Sequence, residues 1–324
     1  MVIDQTVSTG SSISADTSEQ NAAIISDLYE AFVSGDVEAA TRFLSPDFVM
    51  HVPGTGRNAG EYWGVNGFRQ FMSNIALHNG GVFEMEVPVF SVSGEHAFTR
   101  EVVRINRADD PDHLWTLRIS NWMKMRAGRL SELWVIPEEQ HQYDGYWTPP
   151  REPTSNDPVS VHHSSRAKLL HSDRATSPAN YQLLATMYDA FWRGDTAVMR
   201  QAIADNVVVN IVGNSAMSGV YHGWDGYMTF RERLIAMTGD KYKLDLIGMA
   251  ASSSDAWAVE YIRMNRRWDP AVHDICVLMH FRMEGGQIVH MDDFPLDTYQ
   301  WERFYNPPVA AVADVAPPGV TRLW

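Results

Sequence analysis

The strongest constraint on this chain is that it repeats itself. Tyr29, Ala31, Phe32, Gly35 and Asp36 recur as Tyr188, Ala190, Phe191, Gly194 and Asp195, always 159 residues on. The same spacing links Gly54, Gly60, Tyr62, Gly64 and Gly67 to Gly213, Gly219, Tyr221, Gly223 and Gly226. It also links Glu101, Arg104, Asn106 and Arg107 to Glu260, Arg263, Asn265 and Arg266. One residue is then lost in the second copy, and Pro137 matches Pro295. A period this long is a duplicated domain, and each copy is large enough to bury its own core.

Each copy reads alike. Ile24, Ile25, Leu28, Ala31 and Phe32 share one helical face, as do Leu183, Leu184, Met187, Ala190 and Phe191. Gly35 and Gly194 supply helix stops, Asp36 and Asp195 cap a second helix, and Ser177-Pro178 opens the first helix of copy two. A short strand, a glycine-rich loop and a third helix follow. Long alternating segments such as Phe83-Met85-Val87 and Tyr242-Leu244-Leu246 then read as a meander of strands. Helices before strands give an α+β class. The expected organisation is a disordered tail at 1–20, domain one at 21–148, a linker at 149–179, domain two at 180–306 and a tail at 307–324. The linker holds five prolines between Pro149 and Asn180 and no apolar periodicity; its His162, His163 and His171 read as solvated.

A formal charge of −14 argues against nucleic acid or an anionic membrane surface as partner. One cysteine, Cys276, excludes an internal disulfide framework and is expected in the core. The N-terminus lacks a signal-peptide pattern, so a cytoplasmic protein is expected. No phosphate loop, dinucleotide fingerprint or clustered metal ligands occur, so no cofactor or metal is expected.

The aromatic helix ending in Gly35-Asp36, the strand and loop His51-Val52-Pro53-Gly54, Gly60-Glu61-Tyr62-Trp63-Gly64, Gly128-Arg129-Leu130, Trp134 and Pro137-Glu138-Glu139-Gln140 carry a family resemblance. The chain resembles, over roughly 25–147 and again 181–305, the SnoaL-like branch of the nuclear transport factor 2-like superfamily. The resemblance implies two tandem cone-shaped α+β barrels, each with three helices packed on a strongly bent antiparallel sheet, associated as a pseudo-dimer within one chain. The superfamily includes steroid isomerases, polyketide cyclases, dehydratases, epoxide hydrolases and non-catalytic binders, so the fold alone does not choose a function.

On that resemblance, Phe98, Arg100, Val102, Arg104 and Asn106 point into the first cone, and Trp257, Val259, Tyr261, Arg263 and Asn265 into the second. Asn121 and Met123, and likewise Met279 and Phe281, face inward from the next strand, while His280 faces away. Steroid-isomerase chemistry is disfavoured, because its base position holds Val52 or Ile211. Asp293 falls where SnoaL-type cyclases carry their acid/base; copy one has Val135 there. The Glu101-x-x-Arg104-x-Asn106-Arg107 pattern leaves two readings open, a cavity arginine or a structural salt-bridge ladder. The catalytic set is then Asp293 with Arg263 and Asn265; Tyr261, Trp257, Met279, Phe281, Met187, Tyr221, Arg104 and Asn121 are expected to bind substrate. The expected function is a cofactor-independent cyclase or isomerase working in domain two on a hydrophobic polyketide- or terpenoid-like molecule. Epoxide opening to a cyclic ether, and a non-catalytic binding or scaffold role, are the alternatives.

Overall fold

The helix ends form as the sequence dictates. In the computed structural model, which describes residues 15–148, 164–168 and 176–306, the side chain of Asp36 accepts from the Ala39 amide at 2.9 Å and Asp195 accepts from Val198 at 3.1 Å. Ser177 caps its helix by accepting from the Asn180 amide, and Gly194 closes that helix in the left-handed region at φ 67°. These contacts satisfy the orphan amides and carbonyls that any helix end exposes.

The chain divides into two compact units at Arg174/Ala175. The first contains α1 (Ala15–Val33), α2 (Val37–Thr41), β1 (Leu44–Val52), β2 (Gly60–Trp63), α3 (Gly64–His78), β3 (Asn79–Ser93), β4 (His96–Arg107), β5 (Asp110–Arg126), β6 (Arg129–Pro137), α4 (Gln140–Trp147) and β7 (Ser164–Lys168). The second contains α5 (Pro178–Arg193), α6 (Thr196–Ala202), β8 (Ile203–Ile211), β9 (Gly219–His222), α7 (Gly223–Met237), β10 (Thr238–Ala251), β11 (Asp255–Arg266), β12 (Asp269–Glu284), β13 (Gln287–Pro295) and α8 (Thr298–Tyr305). The sheets run β2-β1-β6-β5-β4-β3-β7 and, read in reverse, β9-β8-β13-β12-β11-β10. Each is one half of a duplicated α+β cone.

Four corrections apply to the expected architecture. The sheets are mixed rather than wholly antiparallel, because β1 pairs parallel with β6 and β8 parallel with β13. Each unit has a fourth helix, α4 or α8, too short for its period to stand out; it buries Tyr143, Tyr146 and Trp147, or Trp301, Phe304 and Tyr305, at one helical spacing. Helix α1 begins at Ala15, inside the stretch read as tail, where Ser18 accepts from the Gly94 amide and Asn21 donates to its carbonyl. Strand β7 lies inside the stretch read as linker and pairs with Val82–Glu86 of β3. The linker histidines and the segment from 307 lie outside the described residues. Register shifts between Glu86 and Val89 and between Leu246 and Gly248 interrupt β3 and β10 at equivalent places. Such irregularities bend a strand and let the sheet curl round its helices.

Each unit has its own apolar cluster, one drawn from 22–147 and the other from 184–305. Cys276 is half-exposed, since Ile275 and Val277 take the inward positions of β12. No helix of the described residues is long and apolar enough to cross a membrane.

Candidate active site

Strand parity decides which side chains meet inside each cone. On β4 the inward residues are Ala97, Thr99, Glu101, Val103 and Ile105: the last three line an internal cavity, and Ala97 joins the core. This is one residue out of phase with the set expected from the resemblance. Arg104 faces solvent instead and meets Glu84 at 3.7 Å, with both side chains more than a third exposed. The duplicated Glu-x-x-Arg pattern thus puts its acid inside and its arginine outside. The acid was the missed half.

The first unit encloses a cavity of ≈ 110 Å³ with almost entirely apolar walls. Its polar corner is Glu101, 7% exposed, against which Tyr29 of α1 donates a hydrogen bond. Asn121 of β5 donates to the same Oε1 at 2.6 Å and to Thr99 at 3.1 Å. Burial pushes the Glu101 carboxyl up to about 7, although the bonds from Tyr29 and Asn121 pull the other way. Helix α4 closes the wall with Tyr143, Tyr146 and Trp147. It is tied to the glycine-rich loop by Asp144, which accepts from the Thr55 and Gly56 amides at 3.0 and 3.2 Å.

The second unit keeps the pair and changes its surroundings. Tyr188 of α5 donates to Glu260 of β11 at 2.5 Å, and burial raises Glu260 to about 7. Thr99 and Asn121 have become Ala258 and Met279, so Tyr188 is the only side chain bonded to Glu260 among the described residues. In exchange, Asp293 takes the position of Val135. It is 4% exposed, and its Oδ1 has no hydrogen-bond partner among the described residues. Burial, then the charges of Glu260 and Asp292, drive its carboxyl well above the usual range. Burial raises the phenols of Tyr188, Tyr221, Tyr242 and Tyr305, and the charge of Asp293 adds to each. Met187, Met279 and Phe281 are buried in the same core.

Arg263, Tyr261, Trp257 and Asn265 lie elsewhere. Arg263 is exposed on the outer face and pairs with Asp274 at 2.9 Å. Tyr261 and Trp257 share that parity, and Trp257 sits with its ring 4.3 Å from the His280 ring. Asn265 is buried but structural: its Oδ1 accepts from the Lys241 amide at 2.8 Å, just as Asn106 accepts from Val82 at 2.9 Å. The phase error has a physical origin. Phe98 and Trp257 are wholly buried on the outer face, so apolar residues occur on both sides of β4 and β11 and alternation is blurred. His280 faces away from the cone as expected. It lies between Asp255 at 2.9 Å and Asp292 at 3.1 Å, and Asp292 is also bonded by Asn210 and His290. Burial lowers the His280 pKa, but its bonds to the two carboxylates outweigh this and raise it. Among the described residues, no group of three or more His, Cys, Asp or Glu side chains could hold a metal ion.

Residues 25–133 match the family model of the SnoaL-like domain. The first unit is a SnoaL-like domain. The second repeats its elements, spacing and Tyr–Glu pair, so it is built on the same plan. Solved structures similar to a single unit include a nuclear transport factor 2-like protein of unknown function from Burkholderia pseudomallei K96243 (20% identity, 40% of this chain and 100% of that one, TM-score 0.37). They also include a putative SnoaL-like polyketide cyclase from Jannaschia sp. CCS1 (15% identity, 43% and 99%, TM-score 0.35). A third is an LEH-like epoxide hydrolase from M. tuberculosis (16% identity, 39% and 89%, TM-score 0.32). No curated protein matches the sequence.

Proposed function

We propose that the second SnoaL-like unit is a cofactor-independent cyclase or isomerase that moves a proton on a hydrophobic carbonyl compound of polyketide or terpenoid type. The observation that carries this reading is Asp293, a buried carboxyl with an unpartnered oxygen, in the same apolar interior as the Tyr188–Glu260 pair. Two carboxyls that feel each other's charge lose their protons in separate steps. Asp293 keeps its proton and donates to the substrate carbonyl oxygen. Glu260, ionising near 7, takes the proton from the adjacent carbon. Tyr188 donates to the Glu260 carboxylate and holds it in place. The product is an enol, which can return its proton elsewhere or attack a second carbonyl to close a ring. Arg263 has no part in this.

The test is deuterium incorporation next to the carbonyl of 2-tetralone in D₂O, followed by NMR. The full chain should speed exchange, with a rate that rises as pH passes through about 7. Glu260→Gln should abolish that rise. Exchange no faster than buffer, or equally fast in Glu260→Gln and Asp293→Asn, would overturn the proposal.

A further inference from the structure

The first unit has the Tyr–Glu pair without the second carboxyl, and its interior is built differently. Tyr29 and Asn121 converge on one oxygen of Glu101, Oε1, while no bond to Oε2 is found among the described residues of a carboxyl that lines the cavity. Around it the wall is apolar: Phe68, Phe71, Val103, Ile105, Leu133 and Val135 among others. Among the described residues, no arginine, lysine or histidine lines the cavity to neutralise an anionic guest. Burying an unpaired carboxylate of the guest beside Glu101 would cost far more than one hydrogen bond returns. A neutral guest with a single acceptor oxygen meets the opposite situation. Its apolar body removes surface from water, and its oxygen can accept from a protonated Glu101, which lines the cavity together with the Tyr143 hydroxyl and the Trp147 indole N–H.

From this geometry we infer that the first SnoaL-like unit is a separate binding site for a neutral, largely apolar molecule carrying one acceptor oxygen, such as an aryl ketone, held by the Oε2 hydroxyl of Glu101. The site binds without turnover, because Val135 stands where Asp293 completes an acid–base pair in the other unit. Binding is therefore tied to the protonation of one group. Below about pH 7 the carboxyl donates to the guest oxygen; above it the carboxylate repels that oxygen.

The experiment is calorimetric titration of the full chain with acetophenone and with ethylbenzene, its isostere lacking the oxygen, at pH 6 and pH 8.5. Acetophenone should bind several-fold more tightly than ethylbenzene at pH 6, and that preference should vanish at pH 8.5. Glu101→Gln, whose amide remains a donor, should keep the preference at both pH values. Tyr29→Phe removes a bond that favours the carboxylate, so the midpoint should move to higher pH; it serves if Glu101→Gln fails to fold. Asp293→Asn should retain the pH-dependent preference even where it has lost exchange activity, so this inference and the proposed reaction can fail separately. Equal binding of the two ligands at pH 6, no binding at all, or a preference that disappears in Asp293→Asn while staying pH-dependent in Glu101→Gln would overturn the inference.

Discussion

Asp292 and Asp293 are neighbours on β13 and point to opposite faces, and the environment gives them opposite chemistry. Asp292 is ionically and hydrogen-bonded by His280, His290 and Asn210, whereas Asp293 faces an interior with nothing bonded to Oδ1. Asp293→Asn is expected to fold and to lower 2-tetralone exchange by ~10²–10⁴-fold, the usual contribution of a positioned acid. Asp292→Asn is no silent control. It removes the charge from a buried pair and should cost about 3–5 kcal/mol in urea unfolding. Arg263→Ala should leave exchange unchanged and scarcely alter stability, because its ion pair with Asp274 is more than half exposed on both sides. A large loss of exchange in Arg263→Ala would mean that the cavity is entered from the outer face.

At the scale of elements, the helix caps were legible because they depend on local chemistry. The site was only half legible. Tyr29, Tyr188, Glu101 and Glu260 all stand out in the repeat, yet the pairing of a helix tyrosine with a strand glutamate 72 residues away is a tertiary fact. The available signal was an acid kept in both copies next to Val103-x-Ile105 or x-Ile262-x-Met264, the apolar positions of its own parity. The registers show how the copies diverged. Thr99, Asn121 and Val135 are paired side by side across β4, β5 and β6; Ala258, Met279 and Asp293 occupy the same three places in β11, β12 and β13. Polarity has moved along one row of the sheet. A second repeated feature is steric. A Cβ added to Gly67 would sit 2.5 Å from the Tyr62 backbone carbon, and one on Gly226 2.9 Å from that of Tyr221. Gly67→Ala should therefore destabilise by about 1–3 kcal/mol, and Gly226→Ala by less, measured by urea unfolding.

At the scale of the molecule, two separate cores each hold a carboxyl raised to about 7. A raised carboxyl binds its proton more strongly folded than unfolded, so stability is greatest below the unfolded pKa near 4.3 and falls as pH rises towards 7. For the buried Glu101 the loss is roughly 2–4 kcal/mol. Glu101→Gln should flatten the decline between pH 4.5 and 7 in melting experiments, and adding Glu260→Gln should flatten it further by an independent amount. An unchanged profile would place both carboxyls in water. The duplication also left an optical difference. Trp147 lines the first cavity, and the corresponding residue of the second unit is Tyr305. An indole therefore borders the first cavity at the place where the second unit has a phenol. Emission lost on Trp147→Phe is a signal belonging to the first chamber alone, and a guest's arrival there can be timed without attaching any dye.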